Sequence, residues 1–330
     1  MWTERRFMRM VRMMVGRWGL VIVVSVALLA GGAVFVQARH AGPVTALHYA
    51  PNANFDAAGH YVPGNIGFNL ADVSSPELLT ALPAGVRALV WVGQCDGVTA
   101  KFRQSVAPYI GRANVFGFYL MDDPDPRLRI TAHGLQRLCT AQHLNEESAW
   151  IHGRMPGAIT FVVLMNLSSP IHPSYIEGYD ATTLHVDLVG VAPYPCRTEL
   201  KACDYRIINR YVAAVEAAGF RPAQIVPVYQ SFGGGDWPDG AGGTYALPSA
   251  QQERRILQRW QSLLRHPKFD YAYSWGSQRA DHSLENSVAL RTVFDRHNHV
   301  GGAFSWSTAR SAPDLPAHIL ACNTQGQPHC

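Results

Sequence analysis

Eight short, almost wholly apolar runs recur along this chain, with segments of helical periodicity between them. They are GNIGFNLADV (64 to 73), RALVWVGQ (87 to 94), VFGFYLMDD (115 to 123), AITFVVLMN (158 to 166), VDLVGVAPY (186 to 194), QIVPVYQSF (224 to 232), FDYAYSWGS (269 to 277) and VGGAFSWST (300 to 308). They are rich in β-branched and aromatic residues and apolar on successive positions, as a strand covered on both faces must be. The intervening segments begin and end as helices do. SSPELLTAL offers Ser75 as N-cap with Pro76 behind it, and DYRIINRYVAAVEAAG stops at Gly219. In SAQQERRILQRWQSLLRHP, Ile256, Trp260, Leu263 and Leu264 share one face. Strand then helix, eight times over, is what closes a parallel (β/α)8 TIM barrel, and the count favours it over an open sheet. Neither GxGxxG nor GxxxxGK[ST] follows the first strand, so dinucleotide and phosphate-loop chemistry drop out.

The start of the chain has a different character. Arg5, Arg6, Arg9, Arg12 and Arg17 precede Trp18 to Val36, a run without a charge and about 19 residues long, the length of a membrane-spanning helix. Arginine ahead of an apolar run predicts a cytoplasmic N-terminus and export of the chain beyond the run. VQA at 36 to 38 has the small-residue spacing of a cleavage site, so the helix is read as a signal-anchor with a cleaved signal peptide as the alternative. The expected organisation is a basic segment (1 to 17), the anchor (18 to 36), a tether (37 to 60), the barrel (61 to 312) and a tail (313 to 330).

The net charge of +4 originates in the first segment, since residues 1 to 39 hold six Arg and one Glu, and 4 − 5 leaves −1 for the rest. A near-neutral body with three lysines gives no reason to expect nucleic acid as a partner. All six cysteines lie beyond the apolar run, which suits an oxidising compartment. Local pairing gives Cys196 with Cys203 and Cys322 with Cys330, leaving Cys95 for Cys139. There is no CxxC and no His pair at ligand spacing, so neither metal nor organic cofactor is expected.

In a barrel of this kind, chemistry belongs at the C-terminal strand ends. Those ends carry Asn69 and Asp72, Gln94 and Asp96, Asp122 and Asp123, Asn166, Tyr194, Gln230, Trp275 and Trp306, with a glycine-rich loop after Gln230 that holds Asp236 and Trp237. Carboxylates, amides and indoles suit a sugar: ring faces stack on aromatics, hydroxyls pair with amides and acids, and carboxyl groups cleave the acetal. No GxSxG elbow supports acyl transfer.

The chain resembles the TIM-barrel glycoside hydrolase superfamily. GFYLMDDPD is similar to the strand that ends in D-E-P or N-E-P in many relatives, and VDLVGVAPYP to their D-x-I-G-x-x-x-Y-P strand; the aromatic ends YSWGS and FSWST add to the likeness. The resemblance covers about residues 60 to 310. It implies hydrolysis of glycosidic bonds. It also exposes a departure: where one large clan places a nucleophilic glutamate, this chain has Gln230, and no Glu stands at any of the eight strand ends. An amide cannot serve as nucleophile or base, so the scheme that remains uses two aspartates. Asp122 or Asp123 is then the proton donor and Asp236 the second carboxylate, ahead of Asp72 and Asp96. The expected substrate-binding set is Asn69, Gln94, Asn166, Tyr194, Gln230, Trp237, Trp275 and Trp306.

Other readings accompany these. Asp122 and Asp123 open a turn-forming stretch, Trp275 and Trp306 could fill the barrel core, and Asp125 and Asp187 suit structural roles. The rival function is a non-catalytic carbohydrate-binding or envelope-assembly protein on the same scaffold, favoured by Gln230.

Overall fold

The computed structural model describes residues 46–131, 134–176 and 179–299. Eight parallel strands close into a barrel. In chain order these are β1 (His48–Tyr49), β2 (Leu70–Val73), β3 (Arg87–Trp91) and β4 (Val115–Asp122), then, after an antiparallel hairpin of β5 (Leu128–Thr131) and β6 (Gly134–Arg137), β7 (Ile159–Val163), β8 (Leu188–Val191), β9 (Ile225–Gln230) and β10 (Asp270–Tyr273). The ring runs β1, β2, β3, β4, β7, β8, β9, β10 and back to β1. Outside it lie α1 (Pro76–Thr80), α2 (Ala100–Val106), α3 (Ala141–His152), α4 (Arg206–Ala217), α5 (Ala250–Leu263) and α6 (Val288–His299). This is the (β/α)8 arrangement read from the sequence.

Seven of the eight apolar runs contain the strands from β2 to β4 and β7 to β10. The eighth, 300 to 308, lies outside the described residues, and the ring closes instead through β1, inside the segment read as a tether. A strand of two residues leaves no periodicity to find. It pairs through His48 and Tyr49 to Asp270 and Tyr271, and through Tyr49 alone to Leu70.

Helix starts follow the sequence signals. The hydroxyls of Ser75, Thr99, Thr140 and Ser249 each accept from the backbone N–H three residues on, and Gln252 returns the bond to Ser249. One apolar layer lies between barrel and helices and includes Phe102, Ile151, Val215, Trp260 and Phe294. A second fills the barrel and is markedly aromatic. Phe269 meets Phe116 and Phe161 edge-on at 5.8 and 5.0 Å, while Tyr49, Tyr119 and Tyr271 belong to the same cluster. Phe269, Tyr271 and Tyr273 stand at alternate positions, so this face changes from phenyl to phenol towards the C-terminal mouth.

At the opposite mouth, Asp270 accepts from His48 Nδ1 on Oδ1 and from His297 Nε2 on Oδ2, both at 2.8 Å. First strand, last strand and α6 are thereby joined. Cys95–Cys139 and Cys196–Cys203 are bonded as expected; Cys322 and Cys330 lie outside the described residues, as does the apolar run Trp18 to Val36. No helix among the described residues is long and apolar enough to cross a membrane.

Candidate active site

A cleft opens at the C-terminal mouth of the barrel. β7, β8 and β9 contribute Val163, Ala192 just past its strand, and Val228; Tyr194, Trp237, Tyr245, Tyr271 and Tyr273 form an aromatic surround; the polar edge is Asp122 with Asp123. Its volume is about 140 Å³. A water needs roughly 10–15 Å³ of such space, so there is room on the order of ten waters, enough to seat a sugar ring.

Asp122 is the last residue of β4, and its Oδ1 accepts from the Tyr119 hydroxyl at 2.6 Å. Asp123 leaves the strand abruptly. Its φ of 40° lies in the left-handed region, unusual for a residue with a Cβ, while its N–H still donates to the Val163 carbonyl at 3.1 Å. Strained backbone at a cleft carboxylate is a mark of functional positions.

The two carboxyl groups differ electrostatically. Burial raises Asp123 above the usual carboxylate range, and the negative charge of Asp122 raises it further. Burial also raises Asp122, but the Tyr119 hydrogen bond opposes the rise. Both side chains are open to water at their surface, so burial here means crowding by the cleft walls and not exclusion of solvent. A third carboxylate, Asp72 on β2, is pushed up to about 6 by burial, against the Asn52 N–H and the Tyr49 hydroxyl. Asp72 and Asp122 both act on Tyr49 and Tyr271, whose hydroxyls they help to hold protonated.

Of the residues expected from sequence, the fold brings Asp122, Asp123, Tyr194 and Trp237 into the cleft. Tyr194 stands edge-on to Phe232 at 4.9 Å and to Tyr245 at 5.3 Å. The others are used elsewhere. Asn69 precedes β2 at the barrel's other mouth, where it accepts from His48 N–H and donates to the Ala46 carbonyl. Gln94 donates to the Ser105 hydroxyl. Asn166 organises its own loop through Ser168 and Ser174 and donates to the Tyr211 hydroxyl. Trp275 is buried in the layer between barrel and helices. Asp236 is exposed, donates its N–H to the Arg279 carbonyl and does not line the cleft. Asp96 is exposed, and Trp306 lies outside the described residues.

Gln230 has a full structural occupation. Completely buried, its Oε1 accepts from Cys196 N–H at 2.8 Å and its Nε2 donates to the carbonyls of Cys196, Ala246 and Phe232 at 2.8, 3.0 and 3.4 Å. It fastens the disulfide loop and the segment after the glycine-rich loop to the end of β9.

Sequence reasoning missed Tyr119, Tyr245, Tyr271 and Tyr273. For Tyr271 and Tyr273 the alternation in FDYAYSW was a usable signal. Tyr245 had none, because it reaches the cleft through non-local pairing: it bridges to Arg197, and its N–H donates to the Trp237 carbonyl. His48, Asp270 and His297 place donor atoms within 4.8 Å of one another and could hold a metal ion. Each imidazole, however, has its own carboxylate oxygen at hydrogen-bond distance, the geometry of a proton-sharing clamp.

No protein-family model matches the chain, and no curated protein matches it. Among solved structures, the chain is similar to a Group IV chitinase of Ostrinia furnacalis in complex with allosamidin, at 12% identity and a TM-score of 0.49 over 78% of this chain and 100% of that one. It is also similar to a class V chitinase mutant from Cycas revoluta in complex with (GlcNAc)3, at 12% identity and 0.49 over 76% and 98%. A third likeness is to a β-glucuronidase from Ruminococcus gnavus in complex with a C6-substituted uronic isofagomine, at 10% and 0.49 over 78% of this chain and 50% of that one. The TIM barrel is established by this chain's own closed strand order, and the site is read from its own geometry.

Proposed function

We propose that this chain is a glycoside hydrolase whose reaction runs on Asp122 and Asp123. The observation that carries this reading is the carboxyl pair at the end of β4, with one member supported by a hydroxyl and the other raised by its neighbour's charge. Pairs whose surroundings push them apart in acidity divide into an acid and a base. Asp123, the more readily protonated, delivers a proton to the glycosidic oxygen. Asp122, whose burial-driven rise the Tyr119 hydroxyl opposes, faces the positive charge that develops at the anomeric carbon, as nucleophile or as base for water. A carboxyl separation of about 5–5.5 Å in the bound state gives retention and about 6.5–9.5 Å inversion. Trp237 and Tyr245 offer ring faces for stacking. Asp236, the second carboxylate expected from sequence, would have to swing in from an exposed loop, so Asp122 is the better-supported partner.

The basic segment and apolar run at the start of the chain support export, with the barrel tethered outside the cytoplasm or released by cleavage, and two disulfides suit that compartment. The substrate is then an envelope or extracellular polysaccharide. One observation favours the rival, non-catalytic reading: among the described residues, both carboxylates that line the cleft come from a single strand end.

The test is release of reducing ends from a panel of envelope and plant glycans by the purified protein and by its folded Asp122→Asn and Asp123→Asn variants. Proton-transfer catalysis is worth roughly 10²–10⁴-fold, and a fall of that size in Asp123→Asn is expected. Undiminished release by both variants overturns the assignment; sugar binding without release by the parent selects the non-catalytic reading.

A further inference from the structure

The charge around the cleft restricts which sugars it can take, an inference that rests on the glycan reading above. Asp122 and Asp123 line the cleft without any basic side chain among its described lining residues. Three arginines on bordering segments are already engaged. Arg127 binds Asp125 through Nε to Oδ1 at 2.8 Å and Nη2 to Oδ2 at 2.9 Å. Arg197 is buried, and its Nε lies 3.3 Å from Glu199 Oε1 as an ion pair without a hydrogen bond. Arg279 lies over the Trp237 ring, 5.4 Å from its centroid, outside the lining. The rest of the surround is four tyrosines, one tryptophan and aliphatic side chains, which bring no positive charge and do bring negative π faces.

A uronic or sialic acid carboxylate would enter such a cleft against like charge with nothing to pair it, an arrangement that costs several kcal/mol. An ammonium group meets the opposite conditions: a carboxylate to pair with and aromatic faces that attract cations. We propose that the cleft takes a glycan with unacetylated amino-sugar units, the ammonium paired with Asp122 and flanked by Tyr271 and Tyr273, and that it rejects uronic acids. Neutral sugars fit the aromatic walls but forgo the charge pairing.

The test is binding to the full-length protein in detergent at about pH 6, where a sugar ammonium is protonated. Three tetramers serve as probes, of β-1,4-glucosamine, β-1,4-N-acetylglucosamine and galacturonic acid, each at low and high salt. The glucosamine tetramer is expected to bind about tenfold or more tightly than its acetylated form, with the margin shrinking in high salt, and the uronate tetramer not at all. In Asp122→Asn the margin should fall severalfold; the salt series on the parent stands even if that variant fails to fold. Equal or tighter binding of the acetylated or uronate tetramer overturns the charge inference and leaves the glycan reading intact. A margin untouched by a folded Asp122→Asn variant places the polycation elsewhere on the protein and overturns it too. Binding of none of the three overturns both.

Discussion

The Tyr119 hydroxyl donates to Oδ1 of Asp122 at 2.6 Å, so a side chain within β4 sets the acidity of the carboxyl group at that strand's end. Tyr119→Phe removes the one interaction that opposes the burial-driven rise of Asp122. Its carboxyl then protonates at higher pH, and the ionised partner is lost sooner on acidification. The expected result is an acid limb of the kcat/KM profile displaced to higher pH, with a fall on the order of tenfold on that limb and little change on the alkaline side. An unmoved acid limb would separate Asp122 from the reaction.

Gln230→Glu tests whether the missing strand-end glutamate is a lost catalytic group or a structural replacement. A carboxylate there cannot donate to the carbonyls of Cys196, Ala246 and Phe232, and it buries a charge. Destabilisation of about 2–5 kcal/mol in urea unfolding is expected, with no gain in glycan hydrolysis. A stable, more active variant would return position 230 to the catalytic machinery.

The clamp at the other mouth makes stability depend on pH in a defined window. Burial pushes Asp270 up, but His48 and His297 outweigh it and hold the carboxyl well below the usual range. Burial lowers His48, and Asp270 more than reverses this. The Asp270 contribution is present above about pH 3.9 and is lost as pH falls towards its lower folded value; the His48 contribution is present below about pH 6.5 and is lost as pH rises through its raised folded value. The clamp is therefore strongest between about pH 4 and 6.5. Asp270→Asn should cost about 3–5 kcal/mol there, and less once the pH has risen past the raised folded value of His48, as read from urea midpoints across the pH range. A loss independent of pH would mean that packing, not charge, is what the aspartate supplies.

The two disulfides should contribute unequally. Cys95 and Cys139 are separated by 44 residues, Cys196 and Cys203 by 7. Loop-closure entropy gives about 4 kcal/mol for the first and about 2.5 kcal/mol for the second. Paired Cys→Ser variants compared by chemical denaturation should keep that order. The reverse order would show that the shorter bridge acts chiefly through the backbone Gln230 holds.

Much of the barrel was legible because a strand covered on both faces must be apolar at every position, and VFGFYLMDD or AITFVVLMN cannot easily be anything else. β1 was not, since His48 and Tyr49 are too few to form a pattern. The placing of Asp122 and Asp123 at the cleft was legible because position on a barrel strand implies direction. Asn69 was misplaced: it was read as part of the end of the run 64 to 73, whereas β2 occupies only Leu70–Val73 and Asn69 stands just before it. Gln94, Asn166 and Gln230 have the chemistry of sugar contacts, but that chemistry equally satisfies loop backbone, and only the folded chain decides which demand each one meets. Tyr245 enters the cleft by loop pairing that no local signal encodes.

The two-residue β1 gives the ring a seam, and the seam has a place relative to the chemistry. Asp122 and Asp123 belong to the far arc, where β4 pairs with β3 from Val115 to Tyr119 and with β7 from Gly117 to Asp122. Tension applied through the chain ahead of His48 is delivered first to the seam, where His48 holds Asp270 and Tyr49 stands edge-on to Tyr271. The barrel can thus be pulled from its leading end while the carboxyl pair sits three strands away from the load.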